Sequence, residues 1–204
     1  MDVSEEVLDG VKELITIGVG RSAGMLNRLT RTHVTLTVPE VCISDTYSEC
    51  TIKHSITTQD THHTSRVVLD FSGEITGTFN LIIPHISALN LVIILTGEEG
   101  SPDEMDALRV ETLLEVANII ISSVMSALSI LISSKLSFQY PSYQTSSSDG
   151  EHLTFKDQSD VGINARTRFL VQEKEIEGDI FIVLNRESFE HLTARIMTLM
   201  ETGL

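Results

Sequence analysis

Residues 8–41 and 110–143 repeat one another at a constant shift of 102 positions, and no other feature of the sequence limits the possible folds as much. Glu13 falls on Glu115, Leu26 and Leu29 on Leu128 and Leu131, and Pro39 on Pro141. The alternating Val34, Leu36 and Val38 fall on Leu136, Phe138 and Tyr140, so the match spans a helix and the strand after it. A second block repeats at a shift of 101, aligning Glu74, Ile75 and Gly77 of GEITGTFNLIIP with Glu175, Ile176 and Gly178 of KEIEGDIFIVLN, where a hairpin is implied. Each half reads as long helix, strand, further strands with turns, hairpin, and a closing helix at about 85–97 and 186–202. Neither half is large enough to cover a sheet of its own, so the two are expected to share one. The predicted fold is α/β with a pseudo-twofold internal repeat: two long equivalent helices packed on a shared central β-sheet. It forms a single domain over 1–204, built of two repeats at about 1–100 and 101–204.

Composition bears on the choice of partner. With 29 acidic and 14 basic residues the formal charge is −15, and such a surface repels a duplex phosphate backbone or an anionic bilayer. Neither nucleic acid nor membrane is expected as a partner. A hydrophobic share of 41% and a mean hydropathy of +0.12 place the chain among those that bury a core. The 19 residues from Val116 to Ser134 carry no formal charge, close to the length of about 20 that crosses a bilayer. Asn118 and six serines in that stretch favour a buried helix instead. Two cysteines, Cys42 and Cys50, make no disulfide framework, and the acidic start MDVSEEVLDG lacks a basic region leading into an apolar one, so a cytoplasmic location is expected. TSSSDGE at 145–151 reads as a surface loop. GEEGSPDEMD at 97–106 joins the halves, with Ser101 or Asp103 expected to cap the second long helix and Pro102 in its first turn.

At 100° per residue, Glu111, Glu115, Asn118, Ser122 and Ser126 fall within about 80° of one another, a polar stripe on an otherwise apolar helix. The first helix presents Asp9, Glu13, Thr16, Gly20 and Gly24 in the same way, with Gly18 close by. Glycine inside a helix costs roughly 1 kcal/mol relative to alanine, so three in seven residues predict close backbone approach by another element. A Glu and an Asn three apart read, alone, as a solvated helix face. Here the arrangement recurs at fixed distance from a proline: Asp9-x3-Glu13-x2-Thr16-x22-Pro39 and Glu111-x3-Glu115-x2-Asn118-x22-Pro141. It resembles the signature of the CheC-type phosphatase family of bacterial and archaeal chemotaxis, in which an acidic residue or serine is followed by Glu, Asn and Pro at those intervals.

The resemblance covers nearly the whole chain, because that family is also a tandem repeat of about this length. It implies a phosphatase acting on the aspartyl phosphate of a phosphorylated CheY-type receiver, with Glu115 and Asn118 as the catalytic pair. Thr16 stands where the first copy has asparagine, so Asp9, Glu13 and Thr16 form a degenerate first site. Glu111 replaces an aspartate or serine and, with Pro39 and Pro141, reads as motif support. Nothing follows residue 204, so the expected likeness is to CheC rather than to the flagellar-switch relative with an added C-terminal domain; the dimeric relative CheX is shorter and less similar.

The sequence itself has no glycine-rich phosphate loop, no cysteine nucleophile with a basic cradle and no histidine spacing that reads as a metal site. His62 and His63, with His54 and Cys50, match no common zinc pattern and read as a solvated loop. Charge neutralisation must then come from the partner, and the resemblance supplies it: Mg2+ and a lysine of the receiver clamp the phosphoryl group, while this chain brings no cofactor. Asn118 is expected to orient the water, and Glu115 to dock against that lysine. The alternative is a non-catalytic binding module, either a scaffold for the deamidase CheD or a flagellar-switch-like adaptor.

Overall fold

A computed structural model describes residues 3–31, 33–45, 63–97, 104–147, 157, 159–171 and 174–202. In chain order these form α1 (Glu5–Thr30), β1 (Val34–Ser44), β2 (His63–Ser72), β3 (Gly77–Pro84), α2 (His85–Thr96), α3 (Ala107–Ile132), β4 (Ser137–Phe138), β5 (Ser142–Ser147), β6 (Val161–Val171), β7 (Lys174–Leu184) and α4 (Arg186–Thr202). The class is α/β, as the periodicity predicts.

The two long helices, α1 and α3, are 26 residues each and start and stop at positions 102 apart. Ser4 Oγ accepts from the Val7 N–H at 3.4 Å, and Asp106 Oδ1 accepts from the Arg109 N–H at 2.9 Å, each meeting one of the donors that a helix start leaves open. Asp106 is therefore the cap of α3, whereas Ser101, Pro102 and Asp103 lie outside the described residues. Both helices end on a non-glycine residue in the left-handed region, Arg31 at φ 55° and Ser133 at φ 57°.

Seven strands form one antiparallel sheet in the order β1-β6-β7-β3-β2, with β4 and β5 both paired to β2 at the far edge. The implied hairpins are β2–β3 and β6–β7. One alternation of each long strand, such as Val67, Leu69 and Phe71 in β2, joins residues of all four described helices in a single apolar cluster. On the other sheet face Phe181 and Val183 pack with Cys42 and Ile82. By composition α3 passes for a membrane span, yet most of it is buried inside the molecule, as a core helix is.

Both signature prolines interrupt the strand that follows a long helix. Pro39 sits in a register shift of β1 between Thr37 and Glu40. Without an N–H it cannot continue the ladder, and the bulge restores the alternation, so that Val34, Leu36 and Val38 and then Val41 and Ile43 face the helices. Pro141 is buried in the gap between β4 and β5. The second copy departs from expectation here. Phe138 and Tyr140 are 48% and 75% exposed instead of buried like Leu36 and Val38, because β4 pairs with β2 at Phe71 and Ser72 only. Residues 145–147 of the expected loop extend β5.

At the centre of the sheet the repeat's glycines make a reciprocal contact. A Cβ on Gly77 would lie 2.2 Å from the Val183 carbonyl oxygen, and one on Gly178 would lie 2.9 Å from the Ile82 carbonyl oxygen. The pairing of β3 with β7 requires glycine at both positions. In α1 the three glycines divide. A Cβ on Gly18 would meet the Val124 Cα at 2.6 Å, so this glycine is the point where α1 crosses α3. Gly20 and Gly24 have nothing within 4 Å of a Cβ and face outward, so close approach within the chain holds for Gly18 alone. Gly18→Ala should then cost about 2 kcal/mol or more, lowering the unfolding midpoint by roughly 4–8 °C, while Gly20→Ala and Gly24→Ala in dilute solution each stabilise by about 0.5–1 kcal/mol. Thermal unfolding of the three variants measures both signs.

Candidate functional site

The crossing at Gly18 fixes which way α1 and α3 face. On α1 the residues Val11, Ile15, Val19 and Leu26 point into the core, and Asp9, Glu13 and Thr16 are exposed. On α3 Leu113, Ile120, Val124 and Met125 point inward, while Glu111 and Glu115 are exposed and Asn118 is partly buried. Each stripe thus lies on the outward side of its helix. The four carboxylates of Asp9, Glu13, Glu111 and Glu115 form no ion pair among the described residues, so both glutamates of the repeated motif are open to an external cation.

Asn118 has one partner within the helix. The hydroxyl of Ser122, one turn on, donates to Asn118 Oδ1 at 3.5 Å. That contact sits at the outer limit for a hydrogen bond, and it engages the amide oxygen. Ser122 is a residue that the periodicity placed on the stripe but to which it gave no role. Position 16 of α1 offers a hydroxyl in place of the amide and is flanked by Gly20 instead of a serine. Pro39 and Pro141 stand in the sheet-edge strands rather than on the helix faces, and their part is in chain direction.

A concave site exists elsewhere. On the helix-free face of the sheet a cavity of about 660 Å3 is lined by Arg66, Asp70, Thr78, Asn80, Phe138 and Asp160, among others, and by no residue of either stripe. Its polar groups are tied to the chain: Thr78 Oγ1 donates to Asp70 Oδ1 at 2.6 Å, and Asn80 Nδ2 donates to the Phe181 carbonyl at 3.1 Å. No cluster of three or more metal-ligating side chains occurs among the described residues, and Cys50, His54 and His62 lie outside them.

A third polar group, which no sequence signal indicates, joins residues distant in the chain. Ser65 Oγ in β2, buried, lies 3.0 Å from His85 Nδ1 at the start of α2 and 3.0 Å from Tyr143 Oη in β5. The His85 pKa is lowered from the ordinary 6.5 by burial first and by the neighbouring His63 second. The folded state accordingly binds fewer protons at this site than the unfolded state once the pH drops below about 6.5, and stability falls as pH falls through that range. His85→Asn keeps an acceptor for Ser65 and removes the titration, so its unfolding midpoint should decline less than that of the parent between about pH 7 and pH 5.

No protein-family model matches the sequence, and no curated protein matches it. Solved structures do. FliY of Thermotoga maritima is 16% identical, with 97% of this chain and 99% of that chain covered, at a TM-score of 0.74. The FliM middle domain from H. pylori is 13% identical, with coverage of 95% and 99%, at a TM-score of 0.67. The chemotaxis protein CheX from Desulfovibrio desulfuricans is 14% identical, with coverage of 83% and 99%, at a TM-score of 0.53. At these identities the likeness is one of fold: the chain has the fold that FliY, the FliM middle domain and CheX share.

Proposed function

We propose that this chain is a phosphatase that accelerates hydrolysis of the aspartyl phosphate of a chemotaxis response regulator of the CheY type, acting through α3. The observation that carries the reading is that Glu115 and Asn118 share the one outward stripe of a helix whose other faces are buried, at the spacing of the CheC-type signature. The fold shared with CheX supports a role in chemotaxis. It does not by itself separate an enzyme from an adaptor, since FliM has it too and H. pylori FliM has been solved in complex with FliG.

The chemistry follows from what the stripe lacks. It has no positive charge to meet a phosphoryl group, so the receiver's own Mg2+ and lysine hold the phosphate. What α3 adds is position. Glu115 pairs with the receiver's lysine and seats the helix over the phosphorylated aspartate. The uncharged Asn118 amide then holds a water in line with the phosphorus–oxygen bond, donating and accepting without repelling the phosphoryl oxygens. Ser122, whose hydroxyl donates to the amide oxygen, steadies that side chain. Glu115 is not a general base, because the water is activated by alignment.

We read the two halves as related by a pseudo-twofold axis between β3 and β7 within one domain. The strand order supports this, since matching β1 to β4 and β5, β2 to β6 and β3 to β7 turns the sheet into itself. In the first half Thr16 is shorter than asparagine by one heavy atom and falls short of the water position, and a misplacement of about 1 Å can cost on the order of a hundredfold in rate. The second reading is a non-catalytic module, either a CheD scaffold or a flagellar-switch-like adaptor; the FliM likeness favours the adaptor form, which has no use for the Glu115–Asn118 pair, whereas CheD binding is compatible with catalysis.

Asn118→Ala should abolish the acceleration of receiver dephosphorylation in a folded protein, Glu115→Ala should act mainly by weakening receiver binding, and Ser122→Ala should lower turnover severalfold at unchanged binding. Unaltered turnover in Asn118→Ala contradicts the mechanism. In the Asn118→Ala background, Thr16→Asn should restore part of the activity, because Asp9, Glu13 and Pro39 stand at the same spacing; dephosphorylation by the double variant measures it, and failure with receiver binding intact contradicts the equivalence of the two helices.

A further inference from the structure

The outward face of α1 is divided by charge in a way that α3 is not. Glu5, Glu6, Asp9 and Glu13 are exposed in its first half, and Arg21, Arg28 and Arg31 are exposed in and just after its second half. None of the seven is in an ion pair among the described residues. Alignment with the helix dipole accounts for acidic residues in the first turn and basic ones in the last, but Asp9, Glu13 and Arg21 lie further in. On α3 the corresponding face runs Glu111, Glu115, Ser122, Ser126 and Ile130, with no basic half. Between the two charged halves of α1 stands Ile17, 43% exposed, and one turn on stands Gly20, above which there is open space.

A surface with this antisymmetry is complementary to itself turned end for end. We propose that the outer face of α1 is the contact between two copies of this chain, packed antiparallel about a twofold axis. The register follows from the residues. With Ile17 of one copy seated over Gly20 of the second, Asp9 faces Arg28 and Glu6 faces Arg31, and every contact occurs twice, as an isologous interface demands. Gly24 falls opposite Glu13 and lets the backbones stay close along the seam. The formal charge of −15 on each copy opposes association, so the dimer is weak and depends on concentration. This inference stands apart from the phosphatase reading. Its consequence for that reading is that α1 covers α1, Glu13 and Thr16 are hidden in the dimer, and the two α3 stripes stay open.

Sedimentation of the whole chain over about 1–500 µM tests it. The weight-average mass should rise from 22.5 kDa toward twice that value with concentration. Ile17→Arg, Asp9→Arg and Arg28→Asp should each move the midpoint of that rise at least tenfold upward, while the double variant Asp9→Arg/Arg28→Asp should bring it back toward the parent, since the charges are again opposed. All three positions are exposed helix surface, and circular dichroism confirms that each of the four variants is folded. A mass that stays at 22.5 kDa throughout overturns the proposal, as does a dimer that the single substitutions leave intact or a double variant no better than the singles.

Discussion

The contact between Gly18 of α1 and Val124 of α3 sets the geometry on which the rest depends. Two 26-residue helices cross there with a backbone separation that no side chain at position 18 would permit. Fixing that point fixes the rotation of both helices about their axes. Buried arcs of Val, Leu and Ile then face the sheet and each other, and Glu13 and Glu115 are left on the outward side. The site is therefore the part of two packing helices that packing does not use. Among the described residues its four carboxylates form no ion pair, and they stand with one amide on helices held by the core.

Beneath the helices, the sheet repeats the same logic in its backbone. Gly77 and Gly178 each let a neighbouring carbonyl approach where a Cβ would collide, and β3 and β7 form the middle of the sheet as a result. Pro39 and Pro141 break the edge strands at equivalent positions. These four residues are matched between the halves outside the helices, and their role is in chain direction rather than chemistry.

Much of this was legible because a shift of 102 positions makes the two halves test each other. The long helices, the closing helices at His85–Thr96 and Arg186–Thr202, and the hairpins follow from it. So does the outward placing of Glu115 and Asn118, since periodicity alone puts them opposite the apolar arc. Other features were not legible. The cap of α3 is Asp106, which an acidic run hides among several residues able to cap, and Gly20 and Gly24 look like Gly18 until their surroundings are known. The burial of Leu36 does not carry to Phe138, because pairing along the edge strand depends on a partner that the sequence does not name. The Ser65–His85–Tyr143 group joins residues 20 and 78 positions apart and leaves no local trace.

Fold and site carry different weight. The fold is shared with FliY, the FliM middle domain and the chemotaxis protein CheX, and a fold common to several proteins does not decide the chemistry. In the reading proposed above, the spacing of Glu115 and Asn118 on one open stripe is what favours hydrolysis over adaptor function, and that reading requires a substrate that brings its own metal and cation. The most direct measurement is the decay of a phosphorylated chemotaxis receiver, with Mg2+ present throughout, in the presence and absence of this chain at substoichiometric amounts. The account predicts that decay accelerates and that each copy of the chain turns over many receivers; decay at the same rate with and without the chain, where binding to the phosphorylated receiver is demonstrated, contradicts it and leaves an adaptor.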